Sequence, residues 1–415
     1  MVEIADTAVV RRASVRDAVA TRVQTEAVSP GSPFGSEAFT PLATVPASQW
    51  RALAERANEP NGYYLPGWEL AVNACARGRT GVSALSAWGD AVPAQDGTAC
   101  LIGLLPAISL WRAYGIPLPA LVGADPYGTL RTPVLARGMA NHAAAQLLQA
   151  ARKAGARALI LRDITLDGAA MKAFAEVLRQ GGMRPRLLQS HFRAALDATR
   201  DADQLLRDAL GGKKLKELRR QRNRLAEHGP VRFDAARRPE EVASALEIFL
   251  NLEASGWKAK RGTALLQDDG DAGFVRRATQ ALAESGQCEI ASLHAGATPV
   301  AAAIVLRHQD RAFYFKLGVD ERFAKYSPGV QLTLDLTRHL SADPSIRLAD
   351  STAAADHPMI NPIWRGRLAI GDVLIPMRRH DPVVPLIASA LSLRRIIREA
   401  ARWAVHAMRR LLKRV

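Results

Sequence analysis

The chain has 415 residues, 48% of them hydrophobic, which is enough for a large core and for two or more domains of ordinary size. Its three cysteines, Cys75, Cys100 and Cys288, have neither paired spacing nor nearby metal ligands, so we predict no disulfide framework and no metal. No apolar run reaches the roughly 18 residues that span a bilayer, and charged residues interrupt the N-terminus where a secretory signal would be apolar. These observations predict a globular, cytoplasmic protein.

The formal net charge of +16 is concentrated in two segments. Residues 213–224 hold seven Lys or Arg against one Glu, and residues 386–415 hold eight against one Glu. Charge spread over the whole fold would suggest a nucleic acid or a membrane as partner. Here the rest of the chain is close to neutral, so the basicity belongs to two predicted helices.

Residues 1–40 show no sustained period, and we predict that they are disordered. A first α/β domain is predicted for residues 41–195, with strands near 82–87, 99–105 and 158–161 and helices near 140–153 and 169–180. The prolines and glycines between Tyr114 and Pro133 predict an irregular loop.

A second α/β domain is predicted for residues 196–380. Gly211-Gly212 separates a short helix from the basic helix 213–224, in which leucines form an apolar stripe. The pattern then predicts a strand at 231–233, a helix from Pro239, a helix near 274–284, and the strands of a meander at 288–293 and 300–306.

Residues 311–340 predict a strand, a basic turn and the start of a helix. Alternation along the strand places Lys316 on the same face as Tyr314. Pro328 suits the first position of the helix.

The start of this helix is a candidate anion site. The unpaired amides of Gly329, Val330 and Gln331 would point out of the helix with the positive end of its dipole, and Arg322 and Lys325 add charge. The alternative is a plain strand-to-helix connection with a solvated basic loop.

This segment resembles the pyrophosphate loop of the GNAT acyltransferase superfamily, in which backbone amides of a turn hold the pyrophosphate of coenzyme A. Ser327-Pro328-Gly329 stands in that turn here, and Pro328 removes one backbone donor. Further segments resemble the CelD/BcsL-type acetyltransferase branch, which is related to the FemAB-like transferases. The segments that carry this resemblance are 249–258, 262–264, Phe315-Lys316, Asp320 and 326–329. The resemblance spans about residues 45–378.

The resemblance implies an α/β (α+β) fold of tandem GNAT-like domains, each a mixed sheet flanked by helices, with acetyl-CoA as co-substrate. The residues that would contact coenzyme A are Asp320, Arg322, Lys325, Ser327, Gly329, Val330 and Gln331. Asp320 can equally cap the turn.

Direct acyl transfer needs a base for the acceptor and an acid for the leaving thiolate. The candidate catalytic residues are Lys316, Tyr326, Asp350 and His357. Lys316 could meet a phosphate, a carboxylate or a developing oxyanion, or it could snorkel at an edge. Asp356-His357-Pro358 is also ordinary turn chemistry, and the chain departs here from the commoner family pattern of a Gly-Asp/Glu and a Tyr-Lys cluster.

Trp257, Lys258 and Trp364 are candidates for the acceptor channel. For Trp257 the alternative is packing beneath a loop.

We therefore predict a GNAT-type acyltransferase, most simply an acetyltransferase, that acts on an amine or hydroxyl of a carbohydrate, cell-envelope precursor or related metabolite. The branch implies bacterial polysaccharide biosynthesis. The second enzyme class is a FemAB-like aminoacyl-tRNA-dependent transferase, although helix 213–224 lacks the aromatic residues that stack on bases. The non-catalytic alternative is a pseudo-acyltransferase that binds a membrane partner.

Residues 386–415 predict a basic amphipathic helix. Its apolar stripe comprises Leu393, Ile397, Ala400, Ala404, Met408 and Leu411, and arginines surround the stripe. Such a helix fits an anionic surface at the inner face of a membrane. The alternative is that the stripe packs against a domain.

Overall fold

The computed structural model describes residues 40–89, 99–256 and 262–412. The predicted disordered segment, apart from Thr40, lies outside the described residues. So do Trp257 and Lys258, the candidates for the acceptor channel.

The described residues form a mixed α/β structure. Its strands are β1 (Thr40–Pro41), β2 (Ser83–Gly89), β3 (Cys100–Ser109), β4 (Ala120–Gly123), β5 (Val134–Leu135), β6 (Ala158–Thr165), β7 (Arg186–Asp197), β8 (Val231–Ala236), β9 (Cys288–Ala295), β10 (Thr298–His308), β11 (Arg311–Val319), β12 (Leu348–Asp350) and β13 (Gly366–Pro376). Its α-helices are α1 (Ala47–Glu55), α2 (Pro66–Cys75), α3 (Leu110–Tyr114), α4 (Ala140–Lys153), α5 (Ala169–Gln180), α6 (Ala202–Leu225), α7 (Pro239–Ser255), α8 (Asp269–Ala283), α9 (Pro328–Ala342) and α10 (Val383–Leu412). Short 3-10 helices cover Leu42–Thr44, Gly62–Tyr64, Ala226–His228, Leu265–Gln267 and Glu321–Tyr326.

The strands join one sheet in the order β1-β2-β3-β4-β6-β13-β7-β12-β11-β10-β9-β8, with β5 beside β3. Two pairs are parallel, β4 with β6 and β11 with β12, and each pair is connected through a helix, α4 or α9. The chain has two halves, residues 40–197 and 202–412, and each half contributes a strand that pairs with strands of the other half. β13 from the second half pairs with β6, and β7 from the first half pairs with β12. The predicted boundary between residues 195 and 196 stays a prediction.

Several elements follow directly from local patterns. α4 and α5 have the predicted bounds, because apolar side chains such as Leu147 and Phe174 recur at helical spacing and are buried. Gly211 has φ 70° and ψ 161°, which kinks α6 at the predicted break. The prediction of an irregular loop between Tyr114 and Pro133 is wrong in one part, since Ala120–Gly123 forms the buried strand β4.

Helices pack on both faces of the sheet. α4 and α5 cover one face of the first half, where Leu147 and Phe174 join the strands in one apolar cluster. In the second half, α7 and α8 cover one face, and the α2 residue Trp68 joins their cluster. α6 and α9 cover the opposite face, on which Leu218 and Leu332 are buried.

α10 begins against the first half of the sheet. Ile387 and Ala388 are buried beside Leu110, Ile160 and Leu374. In the described ranges, no helix combines the length and apolarity that a bilayer crossing requires.

A carboxyl group is buried in α2. Glu69 is fully buried, and neither of its carboxyl oxygens has a hydrogen-bond partner among the described residues. Burial raises the pKa of Glu69 well above its usual value, the carboxylate of Asp125 raises it further, and Arg131 offsets part of the rise. The folded protein therefore holds Glu69 as the neutral acid at pH values where the unfolded chain ionises.

We predict that Glu69→Gln raises the free energy of unfolding relative to wild type more at pH 8 than at pH 4.5. Above the unfolded pKa of about 4.5, folding must keep a proton that the unfolded chain releases, which lowers wild-type stability by about 1.4 kcal/mol per pH unit up to the folded pKa. The glutamine removes this dependence. Urea unfolding between pH 4.5 and pH 8 measures the difference between variant and wild type. The control is Glu284→Gln, a change at an exposed position. If the unfolding free energies of wild type and Glu69→Gln changed in parallel with pH, Glu69 would not be held as the neutral acid.

Candidate functional site

β11 carries Lys316 to the opposite face from the predicted one. The β10/β11 pairing shifts register between Ile304 and Val305, which leaves Phe315 without a directly paired residue and reverses the side-chain alternation. Tyr314 therefore faces α9, whereas Lys316 faces α7. The prediction that Lys316 and Tyr314 share a face is wrong, because a bulge depends on the partner strand and leaves no mark in the period of one strand.

Lys316 has a carboxylate partner. Its Nζ lies 3.3 Å from Oε1 of Glu253, a residue of α7 that is only 2% exposed. The other oxygen of Glu253 accepts a hydrogen bond from the amide of Leu265 at 3.0 Å. Nζ also lies 5.6 Å from the ring centre of Tyr127, whose hydroxyl donates to Asp271 at 2.7 Å. The pair stands at the end of α7, where the chain leads toward residues 257–261.

β12 stops early and leaves an opening in the sheet. It pairs with β11 only from Arg311 to Phe313, which lies opposite Asp350. Among the strands of the described residues, none pairs with residues 314–319 of β11 on that side. This splayed end is the place in the sheet where a ligand can reach groups from both faces.

A buried ion pair closes the narrow end of this opening. Arg193 of β7 and Asp350 of β12 are each 1% exposed and form a direct ion pair. Arg193 also donates to the carbonyl oxygen of Thr129 at 2.6 Å, and Asp350 accepts from the amide of Thr352 at 2.8 Å. The hydroxyl of Thr352 donates to the carbonyl oxygen of Tyr314 at 2.6 Å. These bonds give Asp350 a positioning function in the structure.

The basic turn is organised by Asp320. Its carboxylate accepts from the amide of Arg322 at 2.9 Å and pairs with the Arg322 guanidinium at 2.7 Å. Asp320 therefore caps the turn, which was the alternative to a contact with coenzyme A. The side chain of Arg322 remains 80% exposed, and Lys325 is also exposed. Both cations can reach an incoming anion.

α9 starts at Pro328 after a left-handed residue, Ser327, with φ 53°. The amide of Gln331 donates to the carbonyl oxygen of Ser327 at 3.0 Å, and its side chain donates to the carbonyl oxygen of Leu218 at 2.8 Å. The prediction of a free amide at Gln331 is therefore wrong. Among the described residues, the amides of Gly329 and Val330 have no acceptor, so two donors remain at the helix start.

Gly329 lies against β11. A Cβ atom at this position would lie 2.9 Å from Cδ2 of Leu317 and 3.6 Å from Sδ of Met359. Any larger residue there would push against the strand. Substitution of Gly329 would therefore test packing as well as ligand binding.

Tyr326 has a histidine partner. Its hydroxyl lies 3.0 Å from Nε2 of His228, at the end of the 3-10 helix that follows α6, and the ammonium group of Lys325 lies 4.8 Å from the Tyr326 ring centre. The basic residues of α6 line the same side, and Arg222 pairs with Asp335 of α9 at 2.8 Å. α6 thus brings positive charge next to the turn.

The segment that holds His357 is adjacent to the helix start, as the contact between Met359 and position 329 indicates. Its ring is half-buried, and burial lowers the pKa of His357 below its usual 6.5. Burial therefore favours the neutral imidazole of His357. Trp364 is 1% exposed and donates from Nε1 to the hydroxyl of Thr337 at 2.9 Å, so its position gives no support to the predicted substrate contact.

Sequence patterns did not identify several residues that organise this region: Tyr127, Arg193, His228 and Thr352. Each acts on a residue far along the chain, and no local spacing connects the partners. Glu253 is different, because it stands in the segment 249–258 that carries the resemblance and could have been proposed as the partner of Lys316.

Comparisons with known proteins bear on the enzyme class and on the fold. Residues 212–357 match the family model of the acetyltransferase (GNAT) domain. That range contains α7, α8, the β9–β11 meander, the basic turn, α9 and β12. Residues 212–357 thus form a GNAT domain, and the predicted enzyme class, an acyltransferase, is confirmed.

The whole chain can be compared with solved structures. The crystal structure of FemX has a TM-score of 0.53 at 10% identity, and the match covers 83% of this chain and 98% of FemX. The C-terminal domain of a putative lysylphosphatidylglycerol synthetase from Agrobacterium fabrum has a TM-score of 0.49 at 13% identity, over 83% and 96% of the two chains. A tandem GNAT protein from the clavulanic acid biosynthesis pathway has a TM-score of 0.36 at 16% identity, over 83% and 99%.

The predicted α/β fold is confirmed, and the likeness to FemX concerns the fold alone. No curated protein sequence matches the chain. The narrower CelD/BcsL assignment stays a prediction.

We predict that Asp350→Asn destabilises the protein by about 3–5 kcal/mol, because it removes the carboxylate that forms the direct ion pair with the buried charge of Arg193. Urea unfolding measures the loss. The matched control is Glu247→Gln, which breaks the exposed pair with Arg276 and should cost about 1 kcal/mol or less. Similar losses in both variants would mean that the Arg193–Asp350 pair does not hold the two strands together.

Proposed function

We propose that the protein transfers an acetyl group from acetyl-CoA directly to an amine or hydroxyl of a carbohydrate or cell-envelope precursor. The observation that carries the proposal is the start of α9, where the amides of Gly329 and Val330 have no acceptor among the described residues and the preceding turn holds the exposed cations Arg322 and Lys325. Amides at a helix start, aligned with the helix dipole, favour a phosphate group. The acceptor class rests on the resemblance to the CelD/BcsL branch.

The donor would lie with its pyrophosphate at Gly329 and Val330 and its thioester toward the opening beside residues 314–319. Arg322 and Lys325 would then neutralise phosphate charge at the rim. The basic face of α6 extends the positive potential beyond the turn, and such a potential raises the local concentration of an anionic substrate.

Proton transfer can be divided between two groups on the α9 side. Burial favours the neutral form of His357, which would accept the proton that the attacking amine or hydroxyl loses. Tyr326, held by His228, would donate a proton to the departing thiolate. Lys316 lies on the other face, paired with Glu253, where it would orient the acceptor or stabilise the oxyanion that forms on the acyl carbonyl.

The second candidate is a FemAB-like aminoacyl-tRNA-dependent transferase. The exposed basic face of α6 favours it, because RNA phosphates could lie along the same helix. The two candidates differ in the donor, so a binding experiment with acetyl-CoA separates them.

We predict that the full-length protein binds acetyl-CoA and that Arg322→Ala/Lys325→Ala weakens this binding by about tenfold, equivalent to about 1.4 kcal/mol. Isothermal titration calorimetry at low salt measures the change. The matched control is Arg232→Ala, which removes an exposed arginine that also pairs with an aspartate two residues away, Asp234. The control should bind acetyl-CoA like wild type.

Two results would contradict the proposal. One is wild-type protein that binds an aminoacyl-tRNA but not acetyl-CoA, which would favour the second candidate. The other is equal affinity of the Arg322/Lys325 variant and wild type, which would move the donor away from this turn.

We predict an acid limb in the pH profile of kcat/KM that reports His357. Burial lowers the pKa of His357 below its usual 6.5. The rate should therefore rise with pH in the range below 6.5, where the imidazole loses its proton, and level off by pH 7. His357→Gln should lower the rate by about 100-fold or more and remove this limb. Release of free coenzyme A thiol with a panel of amino sugars measures the rate.

His294→Gln is the control for this experiment, because burial also lowers the pKa of His294 but the residue lies on β9. It should keep both the rate and the acid limb. A His357→Gln enzyme with an unchanged profile would remove His357 from proton transfer.

A further inference from the structure

The inner face of α10 changes character along its length. Its first turns are apolar on the side that faces the sheet, where Ile387 and Ala388 are buried and Leu391 packs beside them. One turn further, arginines take the same side. Arg394, Arg395 and Arg398 all face the sheet and line one cavity with it.

This cavity has a volume of about 310 Å³ and lies between α10 and the strands β6, β7 and β13. Its principal lining side chains are Tyr114, Arg162, Asp372, Arg394, Arg395 and Arg398. The guanidinium carbon of Arg394 lies 4.1 Å from the ring centre of Tyr114, and that of Arg162 lies 5.6 Å from it. An aromatic ring thus holds two cations near each other.

The acids of the cavity do not balance its arginines. Asp372 and Glu399 face four guanidinium groups. Asp372 already accepts hydrogen bonds from Gln189 at 2.7 Å and from the amide of Asp163 at 2.9 Å, and it lies 3.6 Å from Arg162. Within the part of the chain that the structure describes, neither Arg394 nor Arg398 forms an ion pair.

The crowding of like charge affects Arg394. Burial lowers the pKa of this guanidinium, and the positive charge of Arg398 lowers it further. Arg395 donates to the carbonyl oxygen of Leu188 at 3.2 Å, which fixes α10 over β7. A bound anion would supply the negative charge that this arrangement lacks.

We propose that the cavity under α10 binds a phosphate group. Planar guanidinium groups match phosphate oxygens with paired hydrogen bonds, and several arginines around one cavity can share the three oxygens of a phosphate monoester. The volume is at the lower end of the range of small-molecule sites, about 300–1,000 Å³, so the phosphate carries a small organic part. The cavity is built on β6, β7 and β13, apart from the turn 321–331, and the proposal is independent of the proposed function.

The organic part has two sources, a soluble phosphate ester or a phospholipid headgroup. The outer face of α10 bears on the second source. Its exposed apolar side chains, each 58–74% exposed, are Leu386, Leu393, Ile396, Ile397 and Trp403. A helix with this face can enter the headgroup boundary of a bilayer while the arginines on its inner side hold a lipid phosphate.

The test uses the full-length protein, with inorganic phosphate as the first probe. Wild type should bind phosphate, and Arg394→Gln/Arg398→Gln should bind it at least tenfold more weakly by calorimetry. The control is Arg238→Gln/Arg276→Gln, which removes the same charge from exposed positions on the other half and should bind phosphate like wild type. Circular dichroism checks that each variant is folded, and the single variant Arg398→Gln, at an exposed position, provides a second measurement.

Flotation with vesicles identifies the source. A lipid headgroup is indicated by three results with vesicles that contain phosphatidylglycerol. Wild type binds the vesicles, Arg394→Gln/Arg398→Gln binds them weakly, and free phosphate releases the bound protein. In that case Leu393→Ser/Ile397→Ser should lose vesicle binding and keep phosphate binding. Phosphate binding without flotation indicates a soluble ester. Both results support the site, whereas equal phosphate affinity in wild type and the Arg394/Arg398 variant, or no phosphate binding by wild type, would overturn it.

Discussion

The ion pair between Arg193 and Asp350 is the interaction on which the rest of the structure depends. It joins β7, contributed by the first half, to β12, contributed by the second, where both residues are shielded from water. Arg193 also holds the loop at Thr129, and Asp350 also holds Thr352. The two halves therefore meet through a pair of buried opposite charges, and a small shift of either strand would break their direct contact.

The same pair sets the limit of the opening beside β11. β12 ends at Asp350, so β11 continues beyond Phe313 without its β12 neighbour. The bulge at Phe315 directs Lys316 toward α7, whereas Tyr314 faces α9. Polar groups from both faces of the sheet thus stand beside one strand.

Local patterns predicted the elements whose causes are local. The spacing of apolar side chains located α4 and α5, and the glycine pair located the kink in α6, since both signals act within a few residues. β4 was missed because four apolar residues between prolines are too few to show a period. The face of Lys316 and the partner of Asp350 were missed for another reason, because each depends on a strand distant in sequence whose pairing only the folded sheet determines.

The pairing of β13, from the second half, with β6, from the first half, has a consequence for synthesis on the ribosome. β6 leaves the ribosome early, but its neighbour β13 follows roughly 200 residues later, a delay of roughly 10–40 s at ordinary rates of translation. During that interval the nascent first half carries strand edges with unpaired amides and carbonyls, which attract other chains. β13, the last strand to be synthesised, thus completes the sheet of the first half. A chain that terminates before β13 keeps an unpaired strand edge, which promotes aggregation.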